Sequence, residues 1–170
     1  MKGRMTNSHS ILDSRSSADS AARAERELNT AIVSADISVS YEEFLAIVDR
    51  FYADDVEVRS DSSPDPLMGR DRLKALLLEF LVPVHVMAEV GGLSVSVSER
   101  AIAGDSPGEQ HSQWSLELVG ATGRAVRVSW SARRRWKHSR VVSEYHYDHH
   151  QEGEPLGPSD LLHDLSRRPI

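Results

Sequence analysis

The stretch RAVRVSWSARRRWKHSRVVSEYHYDHH, residues 124–150, decides the fold of this chain. Apolar and polar residues alternate over residues 124–136 and again over residues 140–148, and the short polar link Lys137-His138-Ser139 joins the two runs. Alternation with a period of two predicts strands with one buried face, and two such runs across a short link predict a hairpin. This hairpin is predicted to form the centre of the fold.

Successive side chains of a strand point to opposite sides of its sheet, so the first strand of the hairpin has one nearly apolar face. That face comprises Val126, Val128, Trp130, Ala132, Arg134 and Trp136. An arginine among such residues needs an aromatic ring, a buried carboxylate such as Asp54 or an anionic ligand, unless a bulge turns it to solvent. Trp130 and Arg134 are therefore candidate ligand-binding residues.

On the second strand, strict alternation places Tyr145 and Tyr147 on one face with Val141 and Ser143. Their hydroxyls would then line a pocket, where a phenol can donate a hydrogen bond to a developing oxyanion. Tyr145 is a candidate catalytic donor and Tyr147 a candidate pocket wall. The alternative is that both are core aromatics with tethered hydroxyls.

The opposite face of this strand carries the row Glu144, His146 and Asp148. Two carboxylates beside a histidine suit a relay or a metal site, but the alternation favours a solvated or dimer-facing row. A zinc site at His146, His149 and His150 is disfavoured, because consecutive strand residues cannot reach one ion and no second group has metal-ligand spacing. No metal and no cofactor are expected.

The composition limits the classes of function. With 170 residues the chain is long enough for one domain with a sizeable core. Its 26 acidic residues outnumber its 20 basic ones, which argues against binding to nucleic acid. The absence of cysteine excludes disulfides and thiol chemistry. No signal peptide and no membrane span is evident, so a cytoplasmic protein without membrane contact is expected.

The N-terminal third predicts two helices. Residues 1–20 are rich in Ser, Asn and Asp and are expected to form a disordered tail. A helix follows from about Ala18 to near Asp36. Ser40 and Glu43 have the spacing of a capping box, which predicts the start of a second helix.

A third helix is predicted over residues 70–81, ended by Pro83, after a loop over residues 60–66. Residues 84–90 then read as a strand that contains His85. A neutral imidazole between valines can act as acid or base near neutral pH. His85 is the candidate partner of Tyr145 in catalysis, although a core histidine with a backbone or tyrosine partner fits the same pattern.

Further strands are predicted at residues 51–58, 93–97 and 110–119, the last with Trp114 on its apolar face. Helices followed by strands that are apolar on one side predict an α+β domain, with three helices packed on a strongly bent antiparallel sheet. Such a sheet leaves a cone-shaped pocket, with Trp114 as a candidate wall residue. The expected organisation is a tail over residues 1–20, a domain over residues 21–152 and a C-terminal tail over residues 153–170 with a short helix.

Four segments in this order resemble the SnoaL-like polyketide cyclases of the NTF2-like superfamily. They are FYADDVEV (51–58), MGRDRLKALL (68–77), RWKHSRVVSEYHYD (135–148) and LLHDL (161–165). The resemblance covers about residues 22–165. It implies a cone-shaped α+β barrel with an apolar pocket, often paired as a dimer through its sheet.

The resemblance also allows three chemistries to be compared residue by residue. The carboxylate base of ketosteroid isomerase falls on Ser60, whose hydroxyl cannot replace it, with Asp61 as an off-register neighbour. The water-activating aspartate of limonene-epoxide hydrolase falls on Tyr145. The two pocket histidines of scytalone dehydratase fall on His85 and His111, which makes His111 a candidate ligand-binding residue.

The expected function is that of a SnoaL-like pocket protein that binds a small, largely apolar organic molecule. As an enzyme it would perform metal-free acid–base chemistry, namely cyclisation, isomerisation or dehydration of a carbonyl or hydroxyl compound. The alternative is a non-catalytic ligand-binding module. In either case a homodimer through the outer face of the sheet is expected, because a mixed row of Arg, Ser and Glu can pair with itself around a two-fold axis.

Overall fold

The predicted hairpin lies at the centre of a six-stranded sheet in the computed structural model, which describes residues 8–102, 106 and 108–161. The elements in chain order are α1 (Ser8–Ser34), α2 (Glu42–Phe51), β1 (Tyr52–Ser60), β2 (Ser63–Met68), α3 (Arg70–Glu89), β3 (Leu93–Ile102), β4 (Glu109–Gly120), β5 (Ala125–Lys137), β6 (Arg140–Glu152) and α4 (Pro158–Leu161).

The strands follow the order β2-β1-β6-β5-β4-β3, and helices α1 to α3 pack on one face of the sheet. The predicted α+β class is confirmed. One detail of the sheet differs, because β1 and β6 run parallel while every other neighbouring pair is antiparallel. The sheet is therefore mixed, and it stays open between its edge strands β2 and β3.

The β5–β6 hairpin turns through His138 and Ser139, whose φ angles are 49° and 58°. Two positive φ angles at the centre of a two-residue turn are typical of type I′, whose twist matches that of the strands. On β5, Arg134 is buried while Arg133 and Arg135 are exposed, so the predicted faces of this strand are confirmed.

A β-bulge at Val142 interrupts the alternation of β6. Trp136 pairs with Val141, but the preceding residue Arg135 pairs with Ser143, which leaves Val142 as an extra residue on β6. Because side chains alternate with a period of two, one extra residue exchanges the two faces of the residues that follow it, as far as the next register shift.

The bulge turns Glu144 and His146 towards the helices and Tyr145 and Tyr147 to the outer face of the sheet. The predicted inward position of the two tyrosines is therefore wrong, and so is the predicted solvated row at Glu144 and His146. A second register shift lies near Asp148, whose φ is 55°.

Helix α3 continues through Pro83 to Glu89, so the predicted strand at residues 84–90 is wrong. Pro83 is exposed, whereas Leu81 and Val84 beside it are buried. Burial of apolar side chains on both sides of the proline offsets the lost backbone hydrogen bond. His85 therefore lies on a helix.

Substituting Pro83 with alanine is expected to raise the free energy of unfolding by about 1 kcal/mol, because alanine restores the N–H that can bond the Glu79 carbonyl. Urea denaturation would measure the change. Val86→Ala, also exposed on α3, is the matched control and should change stability by less than about 0.5 kcal/mol. A loss of stability in Pro83→Ala would contradict this account of the helix.

The first helix is longer than predicted. It begins at Ser8 rather than near Ala18, so residues 8–20 are helical where a disordered tail was expected. Residues 1–7 lie outside the described residues.

The predicted capping box is also wrong. Helix α2 begins at Glu42 with Tyr41 as its N-cap, and no side chain caps it. The Ser40 hydroxyl instead donates to the Glu42 carboxylate at 2.8 Å.

Residues predicted as a loop form strand β2, which lies at an edge of the sheet and carries Pro64 and Pro66. An edge strand tolerates proline because one side of its backbone has no partner strand. The short helix predicted in the C-terminal tail is seen as α4 (Pro158–Leu161), and residues 162–170 lie outside the described residues. In the described ranges, no helix has the length and apolar character needed to cross a bilayer.

Candidate functional site

An apolar cavity of about 210 Å³ lies between the inner face of the sheet and helices α1 to α3. The helices contribute aliphatic and phenyl side chains such as Ile32, Phe44 and Leu77. The sheet contributes Trp114 and Trp130, whose rings stack with centroids 6.4 Å apart. The cavity therefore suits a small molecule with a largely apolar surface.

The wall has one polar end, formed by Tyr52, Arg134, Glu144 and His146. Arg134 and Glu144 are each only 3% exposed. The Glu144 Oε1 atom accepts hydrogen bonds from Arg134 Nε at 3.1 Å and Nη2 at 2.9 Å. A buried arginine thus meets a buried carboxylate across the β5–β6 hairpin, which satisfies both charges.

A second carboxylate, Glu25 of α1, completes the pairing of Arg134 from behind the cavity wall. Its Oε1 accepts from Arg134 Nη1 at 2.8 Å, and its Oε2 accepts from Trp136 Nε1 at 2.8 Å. Asn29 Oδ1 also accepts from Arg134 Nη1, at 3.2 Å. Both oxygens of Glu25 therefore accept hydrogen bonds from buried N–H groups of β5.

The remaining contacts of Glu144 come from Tyr52 and His146. The Tyr52 hydroxyl donates to Glu144 Oε2 at 2.6 Å, and His146 Nε2 lies 2.7 Å from Oε1. Burial alone would raise the pKa of Glu144, but the charge of Arg134 and the hydrogen bonds from His146 and Tyr52 hold that pKa far below its usual range. Glu144 is therefore ionised at neutral pH and acts as an acceptor.

The same surroundings fix the protonation of Tyr52 and Arg134. Burial, and then the negative charge of Glu144, raise the pKa of Tyr52 well above its ordinary value, so the phenol keeps its proton. Burial would lower the pKa of Arg134, but Glu144 and the other groups around it raise that pKa well above the usual value. The polar end thus contains fixed charges and a fixed donor.

His146 is the group at the polar end with unused acid–base capacity. Because the ionised Glu144 can only accept, His146 Nε2 must carry the proton of that hydrogen bond, which leaves a lone pair on Nδ1 in the neutral ring. Within the described part of the chain Nδ1 makes no hydrogen bond, and it is not among the buried unpaired atoms. Nδ1 is therefore accessible to a proton.

Three of the predicted ligand-binding residues, Trp114, Trp130 and Arg134, lie on the cavity wall. Arg134 finds both an aromatic ring and buried carboxylates, since its guanidinium lies 5.4 Å from the Trp114 ring centroid. The suggested partner Asp54 is instead 87% exposed and pairs with Arg70 at 2.8 Å. Contact of the three residues with a ligand stays a prediction.

The predicted catalytic pair is not brought together. His85 Nδ1 donates to the Ile37 carbonyl at 2.6 Å, and its ring lies 5.4 Å from that of Tyr41, as the core-histidine alternative foresaw. Tyr145 faces outward beneath the guanidinium of Arg133, 5.6 Å from the ring centroid. The prediction that His85 and Tyr145 share a pocket is wrong, because Pro83 does not end α3 and because the bulge inverts the faces of β6.

His111 and Tyr147 also lie on the outer face, where the Tyr147 hydroxyl is 3.5 Å from His111 Nδ1. His111 alternates with Ser112 on β4, and it is Ser112 that is buried on the inner side. The histidine placed by resemblance to scytalone dehydratase therefore does not reach the cavity.

The sequence interpretation missed Glu25 and Tyr52 as site residues, and it set aside a relay at Glu144 and His146 in favour of a solvated or dimer-facing row. The signal for Glu25 is its place on the apolar stripe of the first helix, where a glutamate needs a buried cation. The sequence signal for the inward position of Glu144 and His146 is the two adjacent valines, Val141 and Val142, which break the alternation at the bulge. In the described ranges no group of three or more His, Asp or Glu side chains is arranged to hold a metal ion.

A larger groove of about 380 Å³ adjoins the cavity, between the end of α1, helix α3 and strand β3. The two spaces share the wall residues Phe44, Phe80, Leu81, Val97 and Leu116. The groove and the cavity are therefore neighbouring spaces on the same side of the sheet.

Comparison with known proteins places the fold. No family model matches the chain, and no curated protein matches it in sequence. A proposed polyketide cyclase from Xanthomonas campestris pv. campestris superposes with a TM-score of 0.54 and 13% identity, covering 77% of this chain and 91% of that chain. An LEH-like epoxide hydrolase from M. tuberculosis gives 0.50 and 15%, covering 76% and 82%.

An NTF2-like protein of unknown function from Burkholderia pseudomallei gives a TM-score of 0.50 and 15% identity, covering 75% of this chain and 88% of that chain. These identities are too low to carry a function across. They do agree on the fold. The chain is an α+β domain with the NTF2-like fold that its resemblance to SnoaL-like proteins predicted.

Proposed function

We propose that this protein is an acid–base enzyme that removes a proton from a small, largely apolar carbonyl or hydroxyl compound, as in cyclisation, isomerisation or dehydration. The observation that carries the proposal is the chain of contacts Arg134–Glu144–His146 at the polar end of an apolar cavity. A carboxylate that orients a histidine and fixes its tautomer is a recurring design for a general base.

In the proposed reaction His146 Nδ1 accepts the proton from substrate carbon. The imidazolium that forms keeps its hydrogen bond to Glu144, whose negative charge stabilises it. The negative charge left on the substrate lies beside this imidazolium and the buried guanidinium of Arg134. The proton can then return to another substrate atom or, in a dehydration, to the leaving hydroxyl.

Glu144 itself is assigned a positioning role. Its low pKa makes it a weak base, and its oxygens already accept from Arg134, Tyr52 and His146. The role of proton carrier therefore falls to His146 in place of His85. Tyr52 does not take the place that the sequence pattern gave to Tyr145, because its hydroxyl already donates to Glu144.

The names of two similar structures support this class of substrate, since polyketide cyclase and epoxide hydrolase both denote enzymes of small organic compounds. The cavity of about 210 Å³ is of the right order for a compound of one or two rings.

One observation favours the alternative of a ligand-binding module without catalysis. Among the described residues, the buried side-chain atoms without a partner are Arg70 Nε and His111 Nε2, and neither residue lines the cavity. A polar end without a buried unpaired atom can serve as a rigid wall for binding alone.

Deuterium exchange distinguishes the two functions. The protein is incubated in D₂O with a panel of cyclic and aryl ketones, and label at the carbon next to the carbonyl is followed by mass spectrometry. We expect faster exchange than in buffer for at least one ketone, and the same faster exchange with His150→Gln, a histidine exposed at the end of β6. Thermal stabilisation by ketones without any exchange would instead support the binding module.

A further inference from the structure

The charged side chains of the groove and of the polar end are predominantly negative. Asp36 lines the outer groove, Glu144 lines the polar end, and Glu25 lies directly behind it. Among the described residues that line the groove or the cavity, Arg134 is the only arginine or lysine. The buried polar end thus holds one guanidinium against two carboxylates.

Arg134 has little capacity left for an anionic ligand. Its Nε and Nη2 donate to Glu144, and its Nη1 donates to Glu25 and Asn29. A ligand carboxylate would have to displace one of these carboxylates, which would leave that side chain buried without its partner. Direct recognition of a ligand anion by Arg134 is therefore disfavoured.

We infer that the site selects neutral substrates and rejects carboxylates of the same shape. The inference rests on the proposed function, because removal of a proton by His146 conserves the total charge of the site. A neutral substrate becomes an anion while the imidazole becomes a cation, and the two charges lie side by side. A substrate that is already an anion brings a second negative charge that nothing in the described site offsets.

Matched pairs of compounds test the inference directly. The pairs are benzyl alcohol with benzoate, naphthalene-2-methanol with 2-naphthoate, and 1-octanol with octanoate, each neutral–anionic and nearly equal in shape. Binding to the full chain is measured at pH 8 by quenching of tryptophan fluorescence, since Trp114 and Trp130 line the cavity. We expect the neutral member of at least one pair to bind, and its carboxylate partner to bind at least tenfold more weakly.

Two variants separate charge from shape. Glu25→Gln removes one negative charge without changing a residue of the cavity wall, and Asp36→Asn removes one from the lining of the outer groove. We expect the preference for the neutral compound to fall at least threefold in Glu25→Gln. If that variant does not fold, a smaller fall in the same direction in Asp36→Asn supports the inference.

Equal or tighter binding of the carboxylates would overturn the inference, and so would binding of no neutral compound. A preference unchanged in both variants would overturn the assignment to these charges. The deuterium-exchange result is independent of this outcome, because it reports proton removal by His146 and uses neutral ketones. Failure of charge selection and failure of catalysis are thus told apart.

Discussion

Replacing Arg134 with methionine is expected to lower the free energy of unfolding by about 3–5 kcal/mol. The guanidinium is 3% exposed and is hydrogen-bonded to Glu144 and Glu25, themselves 3% and 5% exposed. Methionine fills a similar volume but leaves two carboxylates buried without a cation. Equilibrium denaturation by urea, followed by tryptophan fluorescence, measures the loss.

The matched control is Arg135→Met, the next residue on the same strand, which is exposed on the outer face. The free energy of unfolding of this control should differ from that of the unsubstituted protein by less than about 0.5 kcal/mol. Adding Glu25→Gln and Glu144→Gln to Arg134→Met removes the unpaired charges and should recover part of the lost stability. An Arg134→Met protein as stable as the control would show that the buried pairs are not needed for folding.

His146→Gln is expected to lower kcat/KM for an active ketone by roughly 10²- to 10⁴-fold, the usual contribution of a general acid or base. Glutamine retains an N–H donor for Glu144 but has no titratable nitrogen, so the melting temperature should change little. The exchange assay of the proposed function measures the rate.

A purely structural role of His146 predicts the opposite result. If the imidazole serves only to satisfy Glu144, His146→Gln keeps full exchange activity and the catalytic assignment is wrong. Glu144→Gln should reduce kcat more than it raises KM, because its role is to orient and stabilise the imidazolium.

The hairpin, the inward face of β5 and the burial of Arg134 were predictable from the sequence, because alternation over residues 124–136 is uninterrupted. The inward face of β6 was not predictable, because one extra residue at Val142 inverts it. In the sequence this insertion is visible only as two adjacent valines. The sequence pattern also favoured a helix end at Pro83. The helix continues there because Leu81 and Val84 are packed in the core.

The candidate site was predictable in its apolar part and not in its polar part. Trp114 and Trp130 follow from strand alternation alone. The contact of Glu25 with Arg134 joins residues 109 positions apart, and such a pairing depends on how α1 lies across the sheet. Strand alternation assigned Tyr145 to the cavity wall as a catalytic donor, because it counted along β6 without the bulge.

The bulge at Val142 also has an evolutionary consequence. Loss of that single codon would restore strict alternation and would exchange Glu144 and His146 for Tyr145 and Tyr147 on the cavity wall, without one amino-acid substitution. A protein of this architecture can thus change from an ionic to a phenolic lining in one genetic event. Insertions and deletions in the last strand deserve the same weight as point substitutions when the ancestry of such a lining is reconstructed.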